Sequence, residues 1–396
     1  MAKRWKGLIQ LICSLLSLLV FPIPSGAARP ARPGRVADTP NTTFTPQHST
    51  RLYSDLFTTY HKEVTPRHDM ATSVEVGLSL VSFDFIDEAN DLASVHGWLK
   101  LGWTDERLKW DPSKFDNITV MRVNTDHIWI PDIELYNGVS VTKLFDNKAL
   151  IYSNGYIYNL PSYRIEFKCP MNLRYFPYDE QVCTLKYGSW AHDMSLINLT
   201  SMNSAIDMED LKPSTDFRVV NNKAVLNLKQ YPCCLEYYGD VTFTIYMKRI
   251  TNAYSAKLVL PSVLTGFLIL LTFLLPPASH EKITLCGIIF LALLLLLVYL
   301  QSIVPASGDT ILGEYLAFAL FIDFFATILA VVSYNLHVKK SQHVKNMVDG
   351  DDQDLNIQMP AKTKRNWLRY LDLASFVIFS IVFIVGLAIM LGRRPE

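Results

Sequence analysis

The hydrophobic positions follow two different patterns, which divide the chain near residue 250. From about Arg51 to Arg249, apolar and polar residues alternate in short stretches such as Val74–Leu80 and Val241–Met247. Alternation with a period of two predicts β-strands with one buried face. An opening stretch marks one helical face instead, at Leu52, Tyr53, Leu56, Phe57 and Tyr60. This half is therefore predicted to be a short helix followed by one β-sandwich of roughly 200 residues.

The second half contains four long apolar runs, at about 253–275, 283–304, 311–336 and 370–392. Each is long enough to cross a bilayer as a helix. With the first half outside the cell, four crossings place segment 337–369 in the cytoplasm and tail 393–396 outside. Lys and Arg are frequent in 337–369 and absent from the 305–310 turn, as expected for this orientation. Arg393 and Arg394 would lie outside the cell, although basic residues are usually more frequent on the cytoplasmic side.

The amino terminus predicts export. Basic residues precede the apolar run Leu8–Phe21, and the small residues Ser25–Ala28 follow it. This is the pattern of a signal peptide over 1–28. A retained signal anchor is the alternative, which the shortness of the apolar run disfavours. Residues 29–250 are then expected to form an extracellular domain.

Composition agrees with an exported membrane protein. Half of the 396 residues are hydrophobic, and 37 basic residues balance 37 acidic ones, which argues against nucleic-acid binding. Three glycosylation sequons, which also arise by chance, begin at Asn41, Asn117 and Asn198. Of six cysteines, Cys13 lies in the signal peptide and Cys286 in an apolar run. Those left for disulfides are Cys169, Cys183, Cys233 and Cys234.

The segment Cys169–Cys183 is the strongest local signal. Its two cysteines bracket an aromatic-Pro-aromatic-Asp core, Phe176–Asp179. The segment resembles the signature loop of the Cys-loop receptor family of pentameric ligand-gated ion channels, which implies a Cys169–Cys183 disulfide. A bridge closing such a loop removes about 3 kcal/mol of unfolded-state entropy, and Pro177 stiffens its tip. The simpler interpretation is that the disulfide only stabilises the fold. The functional interpretation adds that the rigid loop tip contacts and pushes on another structural element.

The resemblance extends along nearly the whole mature chain and is strongest to nicotinic acetylcholine receptor α-type subunits. It implies an immunoglobulin-like all-β extracellular sandwich, a four-helix transmembrane bundle, and a pentamer around a central pore. It also implies a plasma-membrane protein with both termini outside, at synapses.

Aromatic residues in four motifs resemble the family's ligand site. They lie in Trp98–Asp105, Trp129–Asn137, Gly188–Trp190 and Tyr231–Tyr238. The resemblance assigns to the principal face Tyr136, Trp190, Tyr231, Cys233, Cys234 and Tyr238. It assigns to the complementary face of the next subunit Trp98, Leu150, Tyr158 and Leu160. Five aromatic rings would attract an organic cation such as acetylcholine, at about 2 kcal/mol or more per good contact.

Two details of these motifs bear on the ligand site. Ala191-His192-Asp193 departs from the Thr-Tyr-Asp usual in nicotinic subunits, which could retune ligand choice. Cys233 and Cys234 are expected to bond to each other, closing a strained ring of the kind found at functional sites. Pairing elsewhere is the alternative. The other tryptophans, Trp103, Trp110 and Trp129, are assigned to the core.

The second apolar run is expected to line the pore. Helical spacing gives one stripe of Glu281, Thr284, Ile288, Leu291, Leu295, Tyr299 and Ser302. In the family, Leu291 matches the gate, and a ring of Glu281 would select cations. Packing in lipid is the alternative for the stripe, and capping of the helix is the alternative for Glu281. Ser302 replaces the acidic residue common in cation channels.

Residues expected to couple the two halves are Glu88, Phe176, Pro177, Arg249 and Pro305. The resemblance brings Glu88 and Arg249 together at the domain junction; two solvated surface charges are the alternative, worth under about 1 kcal/mol.

No sequence motif predicts an enzyme, a metal site or a cofactor. The expected partners are a small cationic agonist, membrane lipid, permeant ions and further copies of the chain, with a heteropentamer as the alternative. The rival functions are a non-conducting ligand-binding membrane receptor and a channel gated by another amine.

Overall fold

The computed structural model describes residues 46–67, 70–232, 234–276, 279–304, 309–349 and 366–392. The predicted signal peptide, Asn41, Cys233 and Pro305 lie outside these ranges. The first element is helix α1 (Pro46–Phe57), in which Leu52 is fully buried and Tyr53 stacks on Phe57. Tyr60 lies beyond the end of the helix, where its hydroxyl donates to Asp105.

Twelve strands follow in the described part of the chain and form two sheets. The eight-stranded sheet contains β1 (Thr72–Asp87), β2 (Leu92–Thr104), β3 (Val120–Asn124), β5 (Gly138–Lys143), β6 (Lys148–Tyr152), β7 (Tyr156–Asn159), β8 (Ser162–Lys168) and β10 (Ile197–Ser201). The four-stranded sheet has the order β11 (Phe217–Gln230), β12 (Tyr237–Arg249), β9 (Glu180–Ser189) and β4 (Ile133–Leu135).

The alternating residues of both sheets meet in one core, which confirms the predicted β-sandwich. Val74, Val76, Leu78 and Leu80 of β1 are buried, and so are the alternate residues of β12 from Val241 to Met247. The period of two places every second side chain on the inner face. Trp103 and Trp129 pack edge to face in this core, while Trp110 is half-buried at its edge.

Three helices in the described part of the chain are long and apolar enough to cross a membrane. They are α2 (Asn252–Thr272), which includes a π-helical turn at Ser255–Val259, α3 (His280–Ile303), and α4 (Ile311–Asp349), whose apolar span is Ile311–Lys339. A fourth helix, α5 (Asn366–Gly392), holds a shorter apolar stretch at Asp372–Gly386. Its crossing of the membrane therefore stays a prediction.

The helix ends differ from the apolar runs for local reasons. Helix α2 ends at Thr272 rather than 275, because Pro276 disfavours helical backbone before it and the last residues turn more tightly. Helix α3 begins at His280 rather than 283, with Glu281 in its first turn, where a carboxylate is favourable. Helix α4 continues past 336, into the segment predicted to be cytoplasmic, because no glycine or proline interrupts it between Gly313 and Gly350.

The helices pack through small residues and ring contacts. A Cβ atom at Gly266 would meet the Tyr315 hydroxyl at 2.3 Å and the Phe383 ring at 2.6 Å, so only glycine admits both rings. The hydroxyl of Tyr315 donates to the carbonyl of Ser262 at 3.1 Å. These contacts join α2, α4 and α5.

The Cys169–Cys183 disulfide is present, as the family resemblance implied, and closes the loop that connects β8 to β9. The peptide bond between Phe176 and Pro177 at the loop tip is cis. Cys286 is a free, buried cysteine on α3. Asn117 and Asn198 are exposed, and their glycosylation stays a prediction.

Candidate functional site

Tyr136 and Trp190 form the centre of an aromatic cluster at one end of the four-stranded sheet. Their ring centroids lie 6.2 Å apart, edge to face, and the Tyr136 hydroxyl donates to the carbonyl of Ser189 at 2.7 Å. A Cβ atom at Gly188 would lie 2.3 Å from the Tyr136 hydroxyl, so glycine makes room for this ring. Trp190 is unusual for a large aromatic residue because the residue is 75 % exposed. Its ring is therefore open to a ligand or another surface.

Asp132, in the loop before β4, holds the backbone beside Trp190. Its carboxylate accepts hydrogen bonds from the Ser189 hydroxyl at 2.8 Å and the Ala191 amide at 2.7 Å. It also lies 2.9 Å from Nδ1 of His192, one of the two residues at which the sequence departs from the nicotinic pattern. That departure thus contributes a side chain to the support of the cluster.

The hairpin between β11 and β12 carries the second aromatic pair. The rings of Tyr231 and Tyr238 lie 5.7 Å apart, edge to face, and the Nζ atom of Lys229 is 4.7 Å from the Tyr231 centroid. Cys234 is disulfide-bonded. Its expected partner Cys233 lies outside the described residues, so the bond between adjacent cysteines stays a prediction.

Two charged residues next to the cluster were missed by sequence reasoning. Lys186 on β9 forms an ion pair with Asp240 on β12 at 3.2 Å, and its Nζ atom lies 5.9 Å from the Tyr136 ring centroid. The antiparallel register pairs Gly188 with Asp240, which places both charges beside the rings. No local motif marks them, because they meet only once β9 and β12 are paired.

The phenol of Tyr136 remains neutral in this setting. Burial raises the pKa of Tyr136 to about 12, with smaller contributions from the nearby Tyr231 and Asp240. The hydroxyl is therefore protonated at physiological pH and remains a donor to Ser189.

The residues assigned to the complementary face lie on the other sheet. Leu150 of β6 pairs directly with Tyr158 of β7, and Tyr158 neighbours Gly102 of β2. Trp98 is four residues from Gly102 along β2, so it shares the outer face with Tyr158, opposite the buried Leu99 and Leu101. Leu160 follows Tyr158 by two residues. The sheet therefore places Trp98, Leu150 and Tyr158 on one face, and Leu160 lies just beyond the end of β7.

Arg249, the last residue of β12, is the centre of the junction with the helices. Its Nη1 atom lies 2.8 Å from Glu88, the predicted partner, and its side chain is 0 % exposed. It also makes a bidentate pair with Asp179, at 2.8 and 3.0 Å, which sequence reasoning did not assign. Burial by itself lowers the pKa of Arg249, but the bonds and charges of Asp179 and Glu88 more than offset this and raise it. The guanidinium is thus a buried, fully charged group.

Aromatic rings enclose this guanidinium. Its central carbon lies 4.9 Å from the Phe176 ring centroid, 4.5 Å from that of Phe217 and 5.8 Å from that of Tyr254. Phe176 in turn contacts Tyr254 at the start of α2, with centroids 5.3 Å apart. The disulfide loop, β12 and α2 therefore meet at Arg249.

The same loop contacts two helices directly. The hydroxyl of Tyr178 lies 3.0 Å from that of Ser255 on α2, and Arg174 pairs with Glu314 on α4 at 2.6 Å. The amide of Ile311 donates to the carbonyl of Arg174 at 3.0 Å. The loop is thus in direct contact with the amino-terminal ends of α2 and α4.

Helix α3 has one face that packs on its own bundle and one that does not. The buried residues are Lys282, Cys286, Ile289, Leu293 and Leu300. All seven predicted pore residues, from Glu281 to Ser302, are exposed in the single chain, and Leu291 is 57 % exposed. The carboxylate of Glu281 accepts a hydrogen bond from Ser279. An apolar stripe that its own bundle leaves uncovered is available to line a pore or to face another surface.

A β-sandwich with an open aromatic cluster, joined through a disulfide loop to apolar helices, defines a multi-pass membrane protein with a candidate ligand-binding domain. Residues 49–251 match the family model described as neurotransmitter-gated ion-channel ligand binding domain. Residues 258–366 match the one described as neurotransmitter-gated ion-channel transmembrane region. The chain therefore belongs to the neurotransmitter-gated ion-channel family, a family of plasma-membrane channels rather than enzymes.

Curated relatives refine this placement. The chain is 34 % identical over 341 residues to the neuronal acetylcholine receptor subunit alpha-2 of Homo sapiens, covering 82 % of this chain and 64 % of that protein. It is 36 % identical over 295 residues to the alpha-2 subunit of Gallus gallus, covering 72 % and 56 %. It is 35 % identical over 295 residues to the Gallus gallus alpha-4 subunit, covering 72 % and 47 %. The aligned regions thus span less than two thirds of these relatives.

Proposed function

We propose that this protein is a subunit of a pentameric channel that opens when an organic cation of the acetylcholine type binds at subunit interfaces. The observation that carries the proposal is the open aromatic cluster of Tyr136, Trp190, Tyr231 and Tyr238. Aromatic faces attract quaternary ammonium groups electrostatically, and the contact strengthens when water is excluded. The names of the curated relatives, which are acetylcholine receptor subunits, support the same ligand class.

The ligand site is completed by a second subunit. Trp98, Leu150 and Tyr158 share the outer face of the other sheet, with Leu160 just beyond the end of β7, and a neighbouring copy can present these residues to the cluster. Because one chain carries both sets, a homopentamer is proposed, with a heteropentamer as the alternative.

Ligand binding opens the pore through the junction. Closure of the hairpin at Tyr231 and Tyr238 moves β12, whose last residue is Arg249. The pairs of Arg249 with Asp179 and Glu88 link that movement to the disulfide loop, which contacts α2 and α4 through Tyr178 and Arg174.

The pore is lined by the uncovered face of α3. Leu291 and Ile288 form an apolar constriction that excludes water at rest, and a ring of Glu281 at the inner mouth favours cations. Ser302 adds no charge at the outer end, so the conductance is expected to be low.

Expression of the chain alone in oocytes tests the proposal. Acetylcholine is expected to evoke currents whose reversal potential follows sodium, and not chloride, when each ion is diluted. Glu281→Ala is expected to lose that preference. Ligand binding without current would support the non-conducting receptor, and a response to another amine alone would reassign the agonist. A wild-type reversal potential that follows chloride would refute the cation selectivity.

A further inference from the structure

Lys282 and Asp372 form a buried ion pair next to the proposed selectivity ring. The Nζ atom of Lys282 on α3 lies 2.8 Å from Oδ1 of Asp372 on α5, and the side chains are 1 % and 6 % exposed. The Phe273 ring centroid lies 5.6 Å from the same nitrogen. Sequence reasoning assigned no role to either charged residue.

The pair separates two neighbouring residues of opposite charge. Glu281 and Lys282 are consecutive on α3, so their side chains diverge by about 100° around the helix axis. Glu281 is exposed on the uncovered face, whereas Lys282 and Cys286, one turn further on, are buried in the bundle. The ammonium group is thus directed away from the face that carries Glu281.

Asp372 is the partner that makes this arrangement favourable. A buried ammonium without a counter-ion is strongly destabilising, and lysine can extend its flexible side chain to reach water. In the proposed pore, the exposed face of α3 that carries Glu281 is the face that is open to water. Oδ1 of Asp372 accepts from Lys282, and Oδ2 has no partner among the described residues. Among the described residues, the hydrogen bond of the Asp372 carboxylate is therefore the one it accepts from Lys282.

We propose that Asp372 sets ion selectivity by holding the Lys282 ammonium inside the bundle, which leaves the charge of the Glu281 ring uncompensated. Asp372 acts as a positioning residue, because it reaches the permeating ion only through Lys282. The inference rests on the proposed function, since it requires five copies of the chain around a pore. Without Asp372, five lysines could approach five glutamates and cancel their field.

The test is Asp372→Asn, measured by reversal potentials under sodium and chloride dilution in oocytes. The chloride-to-sodium permeability ratio is expected to rise several-fold, although Glu281 itself is not mutated. Asp372→Glu keeps the charge and is expected to retain wild-type selectivity. Asp323→Asn is the matched control: Asp323 is a buried carboxylate of α4 with no partner for either oxygen among the described residues, and its loss releases no lysine.

The double variant Lys282→Gln with Asp372→Asn distinguishes an effect of the Lys282 charge from a purely structural effect of losing the Asp372 carboxylate. It removes both charges, so it is expected to reach the surface and to recover wild-type selectivity, which a purely structural role of Asp372 does not predict. If Asp372→Asn alone fails to reach the cell surface, the double variant still tests the proposal.

The proposal is overturned by wild-type selectivity in Asp372→Asn, or by a double variant that is absent from the surface or remains non-selective. A wild-type channel that follows chloride or does not conduct would instead refute the proposed function. The two failures are therefore distinguishable.

Discussion

The aromatic cluster around Trp190 and the domain junction around Arg249 use aromatic and charged side chains in opposite ways. At the cluster, Trp190 is largely exposed and its ring faces remain available. At the junction, Arg249 is fully enclosed and already paired with Asp179 and Glu88. The first region leaves its rings open for the ligand and the neighbouring subunit proposed above, while the charges of the second are already paired within the chain. A mutation at the junction should therefore affect the folded protein and its gating, and a mutation at the cluster should affect binding alone.

Arg249→Gln is expected to have the largest effect on gating. It leaves the buried carboxylate of Asp179 and the partly buried one of Glu88 without their cation, which costs about 3 to 5 kcal/mol. Receptors that reach the surface should bind agonist but gate poorly, as shown by comparing radioligand binding with peak current. In a double-mutant cycle, combining Arg249→Gln with Glu88→Gln should recover part of the loss. Strict additivity of the two changes would mean that the charges do not interact.

Trp190→Ala should weaken agonist binding by about 2 kcal/mol, or about 30-fold, with surface expression unchanged. The reason is that the ring contributes its face to the ligand and little to packing. Agonist dose–response curves measure the shift. Tyr53→Ala, which removes an exposed aromatic ring on α1, is the control and should leave agonist potency unaltered. Equal potency in wild type and Trp190→Ala would exclude the cluster as the ligand site.

Trp103→Ala tests whether a buried aromatic ring contributes to folding rather than to agonist binding. This ring is buried in the sandwich, and removing a buried tryptophan costs about 3 to 5 kcal/mol of folding free energy. The expected result is reduced surface expression, with the agonist affinity of the surviving receptors near that of wild type, as a surface-biotinylation assay with parallel binding would show.

Tyr136→Phe should have a smaller effect, about 1 kcal/mol or about 5-fold in agonist affinity, because it removes only the hydrogen bond to the Ser189 carbonyl. Tyr187→Phe is its matched control, since the buried Tyr187 hydroxyl has no hydrogen-bond partner among the described residues. A loss of affinity of the same size in both variants would show that the Tyr136 hydrogen bond has no specific role.

Lys248→Gln should have the smallest effect. Lys248 is adjacent to Arg249 and pairs with Glu180 at 2.9 Å, but the two side chains are 47 % and 67 % exposed. An exposed pair contributes under about 1 kcal/mol. Gating and thermal stability are expected to match wild type, and a loss comparable to that of Arg249→Gln would show that burial does not explain the junction.

The sequence by itself determined the features that depend on local spacing. The period of two in β1 and β12 predicted their buried faces, because alternation is a property of any strand with one side against a core. The bracketed motif at Cys169–Cys183 and the aromatic motifs around Tyr136 and Trp190 carried the family resemblance, and the loop disulfide that it implied is present.

Only the tertiary structure decided which distant charges meet and which face of an apolar helix is covered. The bidentate pair of Asp179 with Arg249 and the pair of Lys186 with Asp240 arise from the register of β9 against β12, which no local pattern encodes. On α3 both faces are apolar, so periodicity could not distinguish them, and packing in the bundle left the stripe through Leu291 exposed. The burial of Lys282 against Asp372 likewise depends on helix packing, because the two residues lie ninety positions apart in sequence and become neighbours only when α3 meets α5.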